Sequence, residues 1–126
     1  CHVILRGGSQ KTNFDAQSVD AAAKSLEKVG LEPRIMVAFS HANSSKQFKR
    51  QMEVGRNVSA QLMEGENRIF GVMVESHLVE GRQDLCPGVP PVYGQSITDA
   101  CLGWEDSVAL LEELAAAVRA RRERRA

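Results

Sequence analysis

Short apolar runs alternate along this chain with stretches of helical periodicity, and each apolar run stops at residues that carry chemistry. Val3-Ile4-Leu5 stops at Arg6-Gly7-Gly8, Ile35 to Phe39 stops at Ser40-His41, and Ile69 to Val74 stops at Glu75-Ser76-His77. A weaker run, Ser96-Ile97-Thr98, stops at Asp99. Between the first two, Val19, Ala22, Ala23, Leu26 and Val29 recur at helical steps, and Gly30 stands at the C′ position that closes a helix. Ser44 or Ser45 can cap a second helix whose apolar side is Phe48, Met52, Val58 and Leu62, ending near Gly65. A third helix is expected from about Trp104, with Val108, Leu111, Leu114, Ala115 and Val118 as its buried face.

The order is therefore β-α-β-α-β-loop-β-α. Such alternation places parallel strands under outer helices, an α/β fold. The strands lack in/out alternation, which predicts cover on both faces. Four β/α units make half of an eightfold barrel, which needs ~250 residues. An open doubly wound sheet satisfies the same pattern. The connector after the third strand holds Gly81, Pro87, Gly88, Pro90 and Pro91. At roughly 20 residues it is long for a connector and has the character of an active-site loop.

Composition narrows the function class. The 126 residues fit one domain, and 16 basic residues balance 16 acidic ones, so no strong field points to nucleic acid or a membrane surface. No apolar run approaches the ~20 residues of a membrane span, and no signal peptide is visible. Three cysteines without CxxC spacing suit reduced thiols in a cytoplasmic protein. Cys1 leads almost directly into a strand, which reads as a piece of a longer polypeptide. The arginines from 119 to 125 read as a solvated helix end, favoured by the macrodipole.

In parallel α/β folds, reactive side chains gather at the C-terminal ends of strands. Arg6, His41, Glu75 and Asp99 all stand there. One imidazole and two carboxylates suit Mn²⁺, Fe²⁺, Co²⁺ or Zn²⁺ better than Ca²⁺ or Mg²⁺. Taken singly, a strand-end His is more often a hydrogen-bonding residue, and an Asp beside a Thr more often a cap. Their joint occurrence at successive strand ends is what favours a metal site. His77 reads first as polar loop or a residue behind the ligands, and Cys101 as a buried small residue. Arg6 before two glycines allows a bidentate phosphate contact; the plainer reading is a turn with a paired Arg. Lys46 offers a charge to an anion, although an exposed lysine is commoner.

Together these runs resemble one family. Ile4-Leu5-Arg6-Gly7-Gly8, Phe39-Ser40-His41-Ala42-Asn43-Ser44-Ser45-Lys46, the stretch Gly71 to Gly81 with Glu75-Ser76-His77, and Tyr93 to Glu105 with Thr98-Asp99-Ala100-Cys101 are similar to class I 3-deoxy-D-arabino-heptulosonate 7-phosphate (DAHP) synthases. The likeness runs over nearly the whole chain. It implies the C-terminal part of that enzyme: residues 1–126 as a partial domain, the last four β/α units of a TIM barrel, without the N-terminal portion.

The resemblance also implies a reaction. Phosphoenolpyruvate condenses with erythrose 4-phosphate and water, giving DAHP and phosphate, the first step towards chorismate and aromatic amino acids. In that family a Cys, a His, a Glu and an Asp hold a divalent metal. His41, Glu75 and Asp99 match the last three, and the Cys belongs to a strand outside this chain. Arg6 matches the arginine that grips the phosphate of phosphoenolpyruvate. His41 and Arg6 are the implied catalytic residues, with Arg6, Asp99 and Lys46 touching substrate. The full-length protein is expected to form a homo-oligomer. One position departs: the family carries an acidic residue two places before the Ser-His pair, and this chain has Ala38. Two other readings remain open: a condensing synthase of the same superfamily that takes a five-carbon sugar phosphate, and a non-catalytic remnant.

Overall fold

The computed structural model describes residues 1–125. The elements in chain order are β1 (Val3–Leu5), α1 (Ala16–Glu27), β2 (Ile35–Ala38), α2 (Gln51–Met63), β3 (Ile69–Met73), β4 (Val79–Arg82), β5 (Gln95–Ser96) and α3 (Trp104–Arg125). β1, β2 and β3 form a parallel sheet in that spatial order, with Val3 opposite Ile35 and Ile35 opposite Ile69. The α/β reading with parallel strands is borne out. None of the described helices is long and apolar enough to cross a membrane.

α1 starts where expected. The Asp15 carboxylate accepts from the Ser18 N–H at 2.9 Å, satisfying a donor of the first turn. Those bonds outweigh partial burial and hold the Asp15 carboxyl below its usual range. The helix stops at Gly30, whose φ of 75° lets Leu31 N–H return to Leu26 O and Gly30 N–H to Glu27 O. Val19 and Ala23 are buried, but Val29 is exposed, because the chain has already left the helical path there.

α2 departs from expectation at its start. Neither Ser44 nor Ser45 caps it. A 3-10 turn at His41–Ser44 and a second at Phe48–Arg50 come first, and α2 begins only at Gln51, without a side-chain cap. Val54, Val58 and Leu62 pack with Val19, Ala23, Ile35, Val37, Phe39 and Ile69 into one core between sheet and helices. Full burial of each such side chain is worth roughly 1.5–3 kcal/mol.

Two further expectations are corrected. The fourth strand does not extend the main sheet: β5 pairs in parallel with β4, a short strand inside the long connector. In α3 the buried residues are Leu110, Leu114 and Ala117, whereas Val108, Leu111 and Ala115 are exposed. Arg121 is no tail residue. It is half-buried and donates to Glu66 O at 2.9 Å and Ile69 O at 3.0 Å, tying α3 to the start of β3. Burial of this guanidinium pushes its pKa down. Nor is the sheet covered on both faces: Ile4, Phe70 and Met73 are exposed on the side away from the helices.

Candidate metal centre

The C-terminal ends of the strands are tied together by two buried amides. Asn43 Nδ2 donates to Leu5 O at 3.1 Å and Ala38 O at 2.9 Å, while its Oδ1 accepts from Asn13 N at 2.8 Å. One side chain thus joins the ends of β1 and β2 to the loop that enters α1. Gln51, fully buried at the start of α2, accepts from Glu75 N at 2.9 Å and donates to Glu75 O at 3.0 Å. Sequence reasoning passed over both, because an Asn in a loop and a Gln in a helix are ordinary surface residues.

The turn carrying His41 is strained. His41, Ser45 and Lys46 have φ of 58°, 53° and 58°, a region uncommon outside Gly and, less often, Asn, Asp and His, so Ser45 and Lys46 carry most of the strain. Local bonds hold it there: Lys46 N–H to His41 O at 2.9 Å, Ser45 N–H to Ala42 O at 3.1 Å, and the Ser44 hydroxyl to His41 O at 3.2 Å. Gly7 closes against this turn. At φ 89°, a Cβ there would fall 2.5 Å from Ala42 Cβ and 2.7 Å from Asn43 N. The glycine therefore serves the contact between two strand-end loops.

His41, Glu75 and Asp99 converge. Their ligating atoms lie within 4.8 Å of one another, and His41 Nε2 is 3.5 Å from Glu75 Oε1. Donors held about 2.0–2.2 Å from one ion stand up to about 4.4 Å apart when opposed. Small side-chain rotations would bring all three onto one ion, and an imidazole with two carboxylates is a donor set that suits a divalent transition metal. All three line a cleft of about 460 Å³, with Ser40, Ser44, Lys46, Gln51, Arg82 and Thr98 among its other walls. The Ser40 hydroxyl is buried and has no partner among the described residues.

The remaining predicted site residues are placed as follows. Lys46 lines the cleft. Arg6 does not; it is exposed at the end of β1, and its carbonyl accepts from Asn43 N at 3.3 Å. His77 is exposed polar loop, its Nδ1 accepting from Leu78 N. Cys101 is half-buried, its thiol pKa pushed up by burial, and no cysteine joins the donor group among the described residues. Arg82, not singled out from sequence, reaches the cleft wall and donates to Thr98 O at 2.8 Å beside Asp99.

A family model described as the DAHP synthetase I family matches residues 1–112. The chain belongs to this family. It is 59% identical over 122 residues to the phospho-2-dehydro-3-deoxyheptonate aldolase of Haemophilus influenzae, covering 97% of this chain and 34% of that protein. It is 58% identical to the Phe-sensitive phospho-2-dehydro-3-deoxyheptonate aldolase of Escherichia coli K12, covering 97% of this chain and 35% of that one. The phospho-2-dehydro-3-deoxyheptonate aldolase structure from Francisella tularensis superposes with a TM-score of 0.90 at 43% identity, over 95% of this chain and 35% of that one. The chain thus spans about a third of the length of these relatives.

Proposed function

We propose that these residues are the metal-ligating part of a 3-deoxy-7-phosphoheptulonate synthase. In this reading the 126 residues are a partial domain, the C-terminal half of a TIM barrel, and they act within a longer polypeptide. The observation that carries the reading is the convergence of His41, Glu75 and Asp99, from three distant segments, inside one cleft of a chain in this family. The exposed sheet face and the shared third of the relatives' length support the barrel reading.

The reaction joins phosphoenolpyruvate, erythrose 4-phosphate and water. The enol carbon of phosphoenolpyruvate bonds to the aldehyde carbon, water adds at the phosphate-bearing carbon, and inorganic phosphate departs. A divalent ion, Mn²⁺, Fe²⁺, Co²⁺ or Zn²⁺, would when bound supply Lewis acidity to the aldehyde oxygen. His41, Glu75 and Asp99 would hold it, with a fourth ligand from outside these residues. Asp99 and Lys46, on the cleft wall, face the sugar phosphate; Arg6, outside that wall at the end of β1, is assigned to the phosphate of phosphoenolpyruvate by the family likeness alone. The strained His41 turn is stabilised by Asn43 and Gly7, so the imidazole is held before substrate arrives. A cytoplasmic homo-oligomer is the expected setting.

The test uses the full-length polypeptide carrying these residues. With Mn²⁺ it should consume phosphoenolpyruvate with erythrose 4-phosphate and not with a five-carbon aldose phosphate. His41→Ala should lower that rate by more than about 100-fold, beyond the loss typical of an outer hydrogen-bonding partner. Absence of consumption by the parent with erythrose 4-phosphate would sink the assignment. An unchanged rate in His41→Ala would remove His41 from the ligand set.

A further inference from the structure

We infer that Gln51 is a positioning residue for Glu75, and that through Glu75 it sets how tightly, and in what coordination geometry, this cleft holds a divalent ion. The inference rests on the metal-binding reading proposed above.

Glu75 lies beyond the last residue of β3, Met73, where the regular ladder has ended. Without Gln51 its N–H would have no partner, and its C=O would be held from one side only, by Leu102 N–H. Gln51 replaces the missing strand partner. Its amide presents one acceptor and one donor, and both meet the same residue: Glu75 N–H donates to Oε1 at 2.9 Å, and Nε2 donates to Glu75 O at 3.0 Å. Bonds on both the N–H and the C=O of one residue fix the direction of its Cα–Cβ bond. From there the carboxylate reaches to 3.5 Å from His41 Nε2.

The clamp extends to the second carboxylate. Leu102 N–H also donates to Glu75 O, at 3.0 Å, and His77 N–H returns to Leu102 O at 2.9 Å. The segment that carries Asp99 is therefore registered against the same main-chain carbonyl that Gln51 holds. α2 in turn is anchored by Val54 and Val58 in the core. Gln51 thus links a rigid helix to the two acidic members of the donor group.

Few residues fit this role. A carboxylate at position 51 would accept from Glu75 N but offer nothing to Glu75 O. Asparagine is a methylene too short. Methionine fills the volume and makes neither bond. Gln51 has no exposed surface, so a surface role does not explain an amide there.

The experiment measures Co²⁺ binding to the full-length polypeptide by calorimetry and by the visible absorption of the bound ion. It compares the parent with Gln51→Met and with Val58→Ala. Val58 is two turns along the same helix, in the apolar core, and controls for loosening of α2. Gln51→Met is expected to raise the Co²⁺ Kd about 10–100-fold and to change the absorption band. Val58→Ala should leave both within about twofold, at a comparable loss of metal-free Tm. If Gln51→Met does not fold, Gln51→Asn carries the same expectation. An unchanged Kd and spectrum in the Gln51 variants, or an equal loss in Val58→Ala, would overturn the role of Gln51 while leaving the metal site intact. A parent that binds no Co²⁺ would overturn the metal reading and this role together.

Discussion

Three residues at the ends of β1 and β2, Gly7, His41 and Asn43, depend on one another at the level of single atoms. His41 is held at a φ of 58° on a turn that presses against the backbone of Gly7. Asn43 bridges Leu5, Ala38 and Asn13 beneath it. Gly7→Ala should therefore cost about 1–3 kcal/mol, from a left-handed φ together with a backbone clash. Urea unfolding of the full-length chain would measure it, and an unchanged midpoint would contradict the contact. That Ser40 to Lys46 stand at a strand end beside the cleft is legible in the sequence, because a His among small polar residues after an apolar run is a recognisable pattern. The structural task of Asn43 was not, since its three partners are far apart in the chain. Gly7 is legible as a special residue, for a turn or for close approach of a phosphate, but its contact with the neighbouring loop is not.

At the scale of elements, α3 shows what periodicity leaves open. Its apolar residues occupy two faces. Leu110, Leu114 and Ala117 pack in the core shared with α2, while Trp104, Val108 and Leu111 form an exposed stripe, Leu111 at 62% exposure. Helical spacing finds such stripes but does not say which one meets a partner. The α2–α3 contact is close. A Cβ on Gly55 would stand 2.3 Å from Leu110 Cδ1 and 3.2 Å from Phe39 Cε2. Gly55→Ala gains about 1 kcal/mol of helix propensity but overpacks a site where such insertions cost about 1–3 kcal/mol. A net loss of about 1 kcal/mol is expected in chemical denaturation; a net gain would mean that Leu110 can swing away freely. The late start of α2 has a comparable cause. The residues from Ser40 to Gln47 are committed to the strained turn around His41, so the serines there close that turn instead of capping the helix.

The whole molecule is a layer of helices on one side of a three-stranded sheet, with the cleft at the strand ends and an apolar sheet face left open. Phe70 is 50% exposed on that face, with His2 edge-on to its ring at 4.9 Å. Exposed apolar area of this kind drives association. The 126 residues expressed alone should therefore elute from size exclusion as multimers and bind a hydrophobic dye, whereas the full-length chain should not bind the dye. A dye-silent monomer would count against the barrel reading. The sequence by itself determined the α/β alternation, the strand ends and the three candidate ligands, because alternating period and punctuation are local properties of a chain. Only the tertiary structure decided that His41, Glu75 and Asp99 meet in one cleft while Arg6 stands outside its wall, that β4 and β5 pair apart from the main sheet, and that Asn43 and Gln51 hold the site. Those facts depend on hydrogen bonds and packing between residues tens of positions apart, which no local pattern encodes.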